Sequence, residues 1–244
     1  MNIVRVILLL LFFSAHAEAD PDKTIRVATY IEPPFANFID NEFIGENIEI
    51  AKLLATSMNY EAVFIHCPFA RCMTMIKQGQ ADMIIAIRKT KAREKFLTYL
   101  TPPYYIQHYP LKFYTLADAN IAINTYDDLK SLTVGALRGT KYFDQFDFDQ
   151  QLKKVEVTSI AQLINLLKKQ RIDTFLEREE SVLAWIEEEE YQRLFKLAEY
   201  EYDNAVGVYV AISKKSPRHK DVGYLSTQLA KFVDDGTIHA IIGR

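Results

Sequence analysis

The chain has 244 residues, of which 49% are hydrophobic and 25% are charged, and it contains 8 glycines and 8 prolines. This is the composition of an ordinary globular protein, and it excludes collagen-like, coiled-coil and disordered chains. The net charge of -3 offers no basic surface for nucleic acid or for an anionic membrane. A chain of this length buries enough apolar surface to fold as one large domain or as two of about 100 residues.

The first 19 residues have the three parts of a secretory signal peptide. Arg5 precedes an apolar run over residues 6–13, and two overlapping A-x-A cleavage sites end at Ala17 and Ala19. The run is too short to span a membrane, and a buried N-terminal helix is the alternative. We therefore predict that the protein is exported, with cleavage after Ala19 or, failing that, after Ala17.

Export affects the interpretation of the two cysteines. Cys67 and Cys72 are five residues apart, and an oxidising compartment allows such a pair to form a disulfide. Only His66 lies nearby as a further metal ligand, so no metal site is expected. We predict a local disulfide at the entry to a helix. Two buried free thiols are the alternative, because spacing alone does not establish disulfide geometry.

Strands and helices alternate along the rest of the chain. In chain order, we predict strands over residues 25–29, 81–87, 132–137, 155–158, 172–176 and 206–212. We predict helices over residues 46–58, 69–78, 160–170 (capped by Ser159) and 180–190, one opening at Thr140, and a closing helix ending near Gly236. Strands separated by single helices predict an α/β fold with parallel sheets.

A short internal repeat indicates two such sheets. Residues 76–82 and 167–173 both begin with an apolar residue and Lys and end with Asp, just before an apolar strand. Two similarly wound lobes would place Asp82 and Asp173 at equivalent positions. Small ligands bind in the crevice that such lobes leave at the carboxyl ends of their strands.

Short motifs throughout the predicted mature chain together resemble a known family. They are, in order, the strand 25–29, Pro33-Pro34-Phe35, Gly45 before a helix, Gly79-x-x-Asp82, Thr90-x-x-Arg93, residues 101–105, Asp128-Leu129-Lys130, Val134-Gly135, Gly139-Thr140, Arg171-Ile172-Asp173 and residues 235–238. Their order and spacing are similar to those of type II periplasmic solute-binding proteins. Within these, the chain most resembles the polar amino-acid-binding family of ABC importers, the bacterial extracellular solute-binding proteins of family 3.

This resemblance implies a two-lobed α/β fold of the type II periplasmic-binding-protein kind, with ligand in the cleft and closure by a hinge. Lobe 1 would comprise residues 20–110 and 209–244, and lobe 2 residues 111–208. The chain would cross between the lobes near residues 109–114 and 206–212. The implied protein is a monomer without cofactor or catalysis. It would capture a small polar or anionic solute, such as an amino acid or related carboxylate, for an inner-membrane ABC permease.

The resemblance also assigns roles to the strongest motifs. The Thr90-x-x-Arg93 motif would hold the ligand's α-carboxylate, since a guanidinium can grip a carboxylate bidentately. Gly139 and Thr140 would contribute backbone N–H groups from the other lobe at a helix start. The alternatives are a solvated arginine in a charged stretch and a plain strand-to-helix turn.

Other predicted ligand residues surround these motifs. Tyr30 and Phe69 would sandwich the apolar part of the ligand, as the corresponding aromatic residues do in the family. Arg71 is included because Pro68-Phe69-x-Arg71 resembles an element of some short family members. Glu32 would lie among them as the acid of lobe 1.

Two departures from the family bear on the charge of the ligand. Arg88 stands where the family commonly has Ser or Thr, and Arg178 stands where an acid often binds the ligand's α-ammonium. With Arg93 they predict a cationic site that prefers an acidic amino acid or an organic anion. A slip of one residue would instead place Glu177 or Glu179 in the site, and surface pairing of Arg88 and Arg178 is the other alternative.

Two other functions stay open at this point. One is a dehydratase-like periplasmic enzyme that acts on a small carboxylate, with Glu32 or Glu177 as general acid or base. The other is a ligand-sensing module for a membrane receptor. The sequence contains no H-E-x-x-H motif, no phosphate-binding loop and no recognisable Ser/His/Asp set. Catalysis is therefore not expected.

Overall fold

The computed structural model describes residues 23–243, so the predicted signal peptide lies outside the described residues. The strands are β1 (Thr24–Thr29), β2 (Asn37–Ile39), β3 (Glu42–Ile44), β4 (Glu61–His66), β5 (Met83–Arg88), β6 (Leu97–Tyr99), β7 (Tyr105–Gln107), β8 (Leu111–Leu116), β9 (Thr133–Leu137), β10 (Lys153–Val157), β11 (Thr174–Glu177), β12 (Phe195–Tyr202) and β13 (Val206–Ser213). The helices are α1 (Glu46–Ser57), α2 (Phe69–Gln78), α3 (Lys91–Glu94), α4 (Asp144–Phe148), α5 (Ile160–Lys168), α6 (Glu179–Leu183), α7 (Glu188–Leu194), α8 (Val222–Asp234) and α9 (Thr237–Ile242).

The first main sheet has the strand order β4-β1-β5-β13-β6, and β7 also pairs with β13. Strands β4, β1 and β5 are parallel, whereas β13 runs antiparallel to β5, β6 and β7. Side chains alternate between its two faces. Ile25 and Val27 of β1 join the apolar cluster that also contains residues of α1, α8 and α9, and Ala28 joins the cluster containing Cys72 and Ile76 of α2.

The second main sheet has the strand order β10-β9-β11-β8-β12. Strands β10, β9 and β11 are parallel, and β8 is antiparallel to both β11 and β12. Our prediction of purely parallel sheets is therefore wrong for β8 and β13. The chain reaches both strands by passing from one sheet to the other, not by a helical crossover that restores strand direction.

The chain passes between the sheets twice. It leaves the first sheet after Gln107, enters the second at Leu111, and returns between Tyr202 and Val206. All of β13 belongs to the first sheet, so the predicted boundary between residues 208 and 209 falls inside this strand. A small hairpin, β2 with β3, lies outside both main sheets.

The internal repeat has a structural counterpart in two equivalent aspartates. Asp82 accepts a hydrogen bond from the backbone N–H of Arg26 at 2.9 Å, and its own N–H donates to the Arg26 carbonyl at 2.8 Å. Asp173 does the same with Thr133, at 2.7 Å and 2.9 Å. Each aspartate therefore ties the end of one helix–strand connection to the first parallel strand of its own sheet.

The predicted helix over residues 69–78 is observed with the same bounds. Pro68 precedes it as the N-cap residue, and Gly79 ends it with φ 80°, a left-handed conformation that glycine adopts without a Cβ penalty. Ser159 caps α5 as predicted, because its hydroxyl accepts a hydrogen bond from the Gln162 N–H at 3.3 Å. Local sequence signals therefore mark the end of α2 and the start of α5.

Two helix predictions need correction. The helix predicted to open at Thr140 begins only at Asp144, because the Thr140 N–H donates to the Leu137 carbonyl at 3.2 Å and closes a turn instead. The single helix predicted over residues 180–190 is two helices, α6 and α7. The chain breaks between them at Ile186, which packs against the apolar core of the second lobe.

The predicted disulfide between Cys67 and Cys72 is present, with the two Cα atoms 5.3 Å apart. It joins the end of β4 to the first turn of α2. Across the described residues, no helix is both long enough and apolar enough to cross a membrane.

Candidate functional site

A cavity of about 260 Å³ lies between the two sheets. From the first sheet, its walls are formed by residues at or after the carboxyl ends of β1, β4 and β5; from the second, by residues at or after the ends of β9, β10 and β11. These residues include Tyr30, Glu32, Phe69, Arg88, Tyr142, Ser159, Glu177 and Arg178. The carboxyl edges of both sets of parallel strands thus face each other, which is where open α/β sheets bind ligands.

Arg93 crosses from the first lobe to the second. Its side chain is buried, and the guanidinium donates to the Arg88 carbonyl at 2.9 Å and to the Gly139 carbonyl of the other lobe at 3.3 Å. The guanidinium also lies 5.3 Å from the centre of the Phe69 ring. Burial lowers the pKa of Arg93 below its usual value. The group therefore holds a positive charge at the cavity wall and contacts both lobes.

Arg88 makes a second link between the lobes. Its Nη1 donates to the backbone carbonyl of Tyr142. Burial, together with the nearby positive charge of Arg178, lowers the pKa of Arg88 to about 10. Two arginines of the first lobe thus bind backbone carbonyls of the segment that follows β9, and both line the cavity.

Glu177, at the end of β11, is the buried acid of the second lobe. It is 4% exposed and accepts hydrogen bonds from the Tyr142 hydroxyl at 3.1 Å and from the Arg178 N–H at 3.4 Å. Burial raises the pKa of this carboxyl, while Arg178 and the Tyr142 hydroxyl oppose that rise. Glu179, the other acid beside Arg178, forms an ion pair with Lys112 at 2.8 Å and lies outside the cavity lining.

Glu32 faces these groups from the first lobe. Burial and the negative charge of Glu177 raise the pKa of Glu32 to about 7, and the charge of Arg178 opposes the rise. The cavity lining therefore contains three carboxyl groups and four guanidinium groups from the two lobes, which is a mixture of charges and not a purely cationic site.

The aromatic residues predicted at the site also meet there. The rings of Tyr30 and Phe69 are 4.9 Å apart in an edge-to-face arrangement, and the Tyr30 hydroxyl donates to the Ala86 carbonyl at 2.7 Å. Both rings line the cavity. They form an apolar wall beside the Arg93 guanidinium.

Three predicted site residues lie elsewhere. Arg71 is exposed on α2 and does not line the cavity, so we leave it out of the proposed site. Thr90 caps the short helix α3, where its hydroxyl accepts a hydrogen bond from the Arg93 N–H at 3.2 Å. Gly139 contributes its carbonyl to Arg93, whereas its neighbour Thr140 lines the cavity. The helix N-terminus expected at this turn is absent, because α4 starts at Asp144.

Sequence reasoning missed several cavity residues. Tyr142 holds Glu177 through its hydroxyl, which also accepts a hydrogen bond from the Leu137 N–H at 2.8 Å. Trp185 lines the cavity and is 36% exposed. It is also the single tryptophan of the sequence, a signal that could have drawn attention to it. No signal in the sequence places Tyr142 beside Glu177, because the two are far apart along the chain.

Two further observations concern the disulfide and metal binding. Cys67 lines the cavity, so the disulfide lies beside Phe69 at its wall. Within residues 23–243, the His, Cys, Asp and Glu side chains form no cluster of three or more that could hold a metal ion.

Comparisons with known proteins agree with this architecture. Residues 25–244 match the family model of bacterial extracellular solute-binding proteins, family 3. Over 151 residues, the chain is 30% identical to the ABC transporter arginine-binding protein 1 of Escherichia coli (strain K12), a match that covers 60% of this chain. The chain spans 58% of the length of that curated relative.

Solved structures have the same fold. An ancestral arginine-binding protein bound to arginine aligns with a TM-score of 0.75 at 21% identity, covering 90% of this chain and 96% of that one. A periplasmic binding protein of an arginine transport system from Legionella pneumophila aligns with a TM-score of 0.73 at 18% identity, covering 90% of this chain and 98% of that one. The predicted two-lobed α/β architecture is thereby confirmed, and the chain belongs to the bacterial extracellular solute-binding proteins of family 3.

Proposed function

We propose that this protein binds a free amino acid in the cleft between its lobes and delivers it to the membrane permease of an ABC importer. One observation carries the proposal: Arg93 lies on one wall of the cavity, and the buried Glu177 lies on the other wall. These groups match the two charges of an amino acid, a carboxylate and an ammonium. Relatives described as arginine-binding, and one described as bound to glutamine, support the amino-acid class.

In this proposal the α-carboxylate meets Arg93 and the α-ammonium meets Glu177. Tyr30 and Phe69 cover the apolar part of the ligand, with Glu32 beside them. Because Arg93 and Glu177 belong to different lobes, a ligand that contacts both favours the closed arrangement. The signal peptide would direct the protein to the periplasm, where it would act as a monomer without catalysing a reaction.

We further propose that the lobes correspond to residues 20–110 with the C-terminal segment, and to the intervening residues from 111. The second boundary lies a few residues before 209, because β13 pairs with the first sheet from Val206 onward. This arrangement leaves the ligand at the interface of two separately built sheets.

The proposal is tested by the fluorescence of Trp185, the single tryptophan, which lines the cavity. Protein freed of endogenous ligand by unfolding and refolding is titrated with the amino acids in turn. Binding should change the tryptophan emission and raise the melting temperature, since a ligand of the native state stabilises it. Methyl esters and N-acetyl derivatives of the best ligand should bind much more weakly. If no amino acid changes either signal, the proposal is wrong.

The same assay tests the role of Arg93. Replacing it in the variant Arg93→Ala removes a buried charge-assisted contact and should weaken binding by about 2–5 kcal/mol. Lys91→Ala, in the same short helix but exposed, is the matched control and should bind normally. Calorimetry that found the two variants equal to the native protein would exclude Arg93 from the site.

A further inference from the structure

We infer that Arg178 binds a second carboxylate of the ligand, so that the substrate class is acidic amino acids. This inference rests on the proposed function, since it concerns the same cleft. It assigns a specificity role to a residue of the second lobe and separates acidic ligands from their neutral amides.

The hydrogen bonds of the cavity arginines carry the argument. Arg88 and Arg93 donate to backbone carbonyls, and Arg138 donates to the Glu156 carbonyl at 3.2 Å and pairs with the Glu156 carboxylate at 3.8 Å. Among the described residues, the Arg178 guanidinium alone of these four donates no hydrogen bond and forms no ion pair, and its Nε is buried.

A buried guanidinium donor without an acceptor is unfavourable, because removing a charged group from water costs free energy that only a partner restores. Glu177 and Glu32 act on Arg178 through their charges but form no ion pair with it. Arg178 also acts on Arg88 across the cleft. Arg178 lines the cavity between the lobes, within reach of a molecule enclosed there, and the ligand supplies the acceptor that its guanidinium lacks.

A carboxylate fits this position best. The planar guanidinium presents paired N–H donors that match the two oxygens of a carboxylate, and both charges are then compensated. Arg88, which faces Arg178 across the cleft, adds a second positive charge near this position. A cationic side chain at this position would meet two guanidinium groups and leave the donors of Arg178 unpaired. An amide oxygen would satisfy one donor but would not compensate the charge.

The decisive experiment compares ligands that differ by one charge at nearly constant shape. Glutamate and glutamine, and aspartate and asparagine, are titrated by calorimetry against the native protein, Arg178→Gln and Arg178→Lys. We expect the native protein to bind its better acid at least about thirtyfold more tightly than the corresponding amide. Arg178→Gln should bring this ratio close to one while retaining affinity for the amide. Arg178→Lys should give an intermediate ratio, since it keeps the charge but loses the paired donors.

Arg171→Gln is the matched control, because it makes the same charge change at an exposed position of the same lobe and should leave the ratio unchanged. Equal affinity of the native protein for acid and amide, or tighter binding of arginine than of either acid, overturns the inference but keeps the proposed function. A native ratio unaffected by Arg178→Gln overturns it as well. If no amino acid binds, the proposed function itself fails. Should Arg178→Gln not fold, the native ratio and Arg178→Lys still decide.

Discussion

At the scale of single residues, side chains of the same type have different partners within one cavity. Arg88 and Arg93 connect the lobes through backbone carbonyls, whereas the Arg178 guanidinium donates no hydrogen bond among the described residues. Glu32 and Glu177 differ in their partners as well. Glu177 has a tyrosine hydroxyl as partner, and the pKa of Glu32 is raised to about 7. Position and partners, rather than residue type, decide what each group does.

The raised pKa of Glu32 predicts a dependence of stability on pH. Its pKa rises from 4.5 to about 7 on folding, so between these pH values the native state holds a proton that the unfolded state has lost. The free energy of unfolding should therefore fall as the pH rises from about 4.5 through about 7, by up to about 3 kcal/mol from this group.

The variant Glu32→Gln tests this dependence, since glutamine resembles the protonated acid but cannot ionise. Urea unfolding at pH 5 and pH 8, without ligand, should show a smaller loss of stability in the variant than in the native protein. The two proteins should be similar at pH 5, and the variant should be the more stable at pH 8. If the free energy of unfolding changed equally in the two proteins between pH 5 and pH 8, the pKa of Glu32 would not be raised in the native state.

At the scale of elements, sequence reasoning succeeded where local chemistry decides and failed where distant contacts do. Helix α2 was predicted with its observed bounds, and Gly79 marks its end in the sequence. The helix expected at Thr140 starts four residues later, because the preceding turn is closed by a bond to Leu137. The antiparallel direction of β13 depends on where the chain returns, which no local pattern encodes.

The candidate site was also predicted correctly where short motifs identify residues, and less completely elsewhere. Arg93 and the aromatic pair of Tyr30 and Phe69 were predicted from motifs and lie together. Sequence reasoning left open whether Arg178 or an adjacent glutamate faces the cleft, and the structure places both Glu177 and Arg178 at the cavity. A residue count cannot resolve this, because the strand ends between the two and the chain turns there.

The disulfide predicts a modest contribution to stability. Cys67 and Cys72 close a loop of sequence separation 5, so the bond removes little entropy from the unfolded chain. Replacing both cysteines by alanine should lower the free energy of unfolding by about 2 kcal/mol, a value at the low end for disulfides. Urea unfolding under oxidising conditions measures this loss, and dithiothreitol should destabilise only the native protein. A loss well above that value would mean that the bond also restrains the native state.

At the scale of the whole molecule, the proposed function requires the two lobes to approach closely. Gly139 of the second lobe has φ 81°, and a Cβ at this position would lie 3.3 Å from the Ala70 Cβ of the first lobe. This is closer than side chains normally pack. A methyl group here would therefore require the lobes to separate by a few tenths of an ångström at the point where Arg93 donates to the Gly139 carbonyl.

Gly139→Ala should consequently weaken ligand binding in addition to straining the backbone. Gly236→Ala is the matched control, because Gly236 has a similar φ of 83° but no atoms within 4 Å of an added Cβ. Both variants should lose about 1–2 kcal/mol of stability from the left-handed backbone, but only Gly139→Ala should lose affinity and release ligand faster. Equal affinities in the two variants would show that the lobes do not need this close approach.

The strand order of the first sheet also determines when the binding cleft can exist at all. A polypeptide is synthesised with its N-terminus first. Strand β13 lies between β5 and β6 in the first sheet, but it follows every strand of the second sheet along the chain. The second sheet is contiguous and can be completed while β5 and β6 still have unpaired edges. Such edges are templates for mispairing, so the nascent chain is most vulnerable to aggregation in this interval. When β13 pairs with β5 and β6, it covers these edges and at the same time forms the cleft.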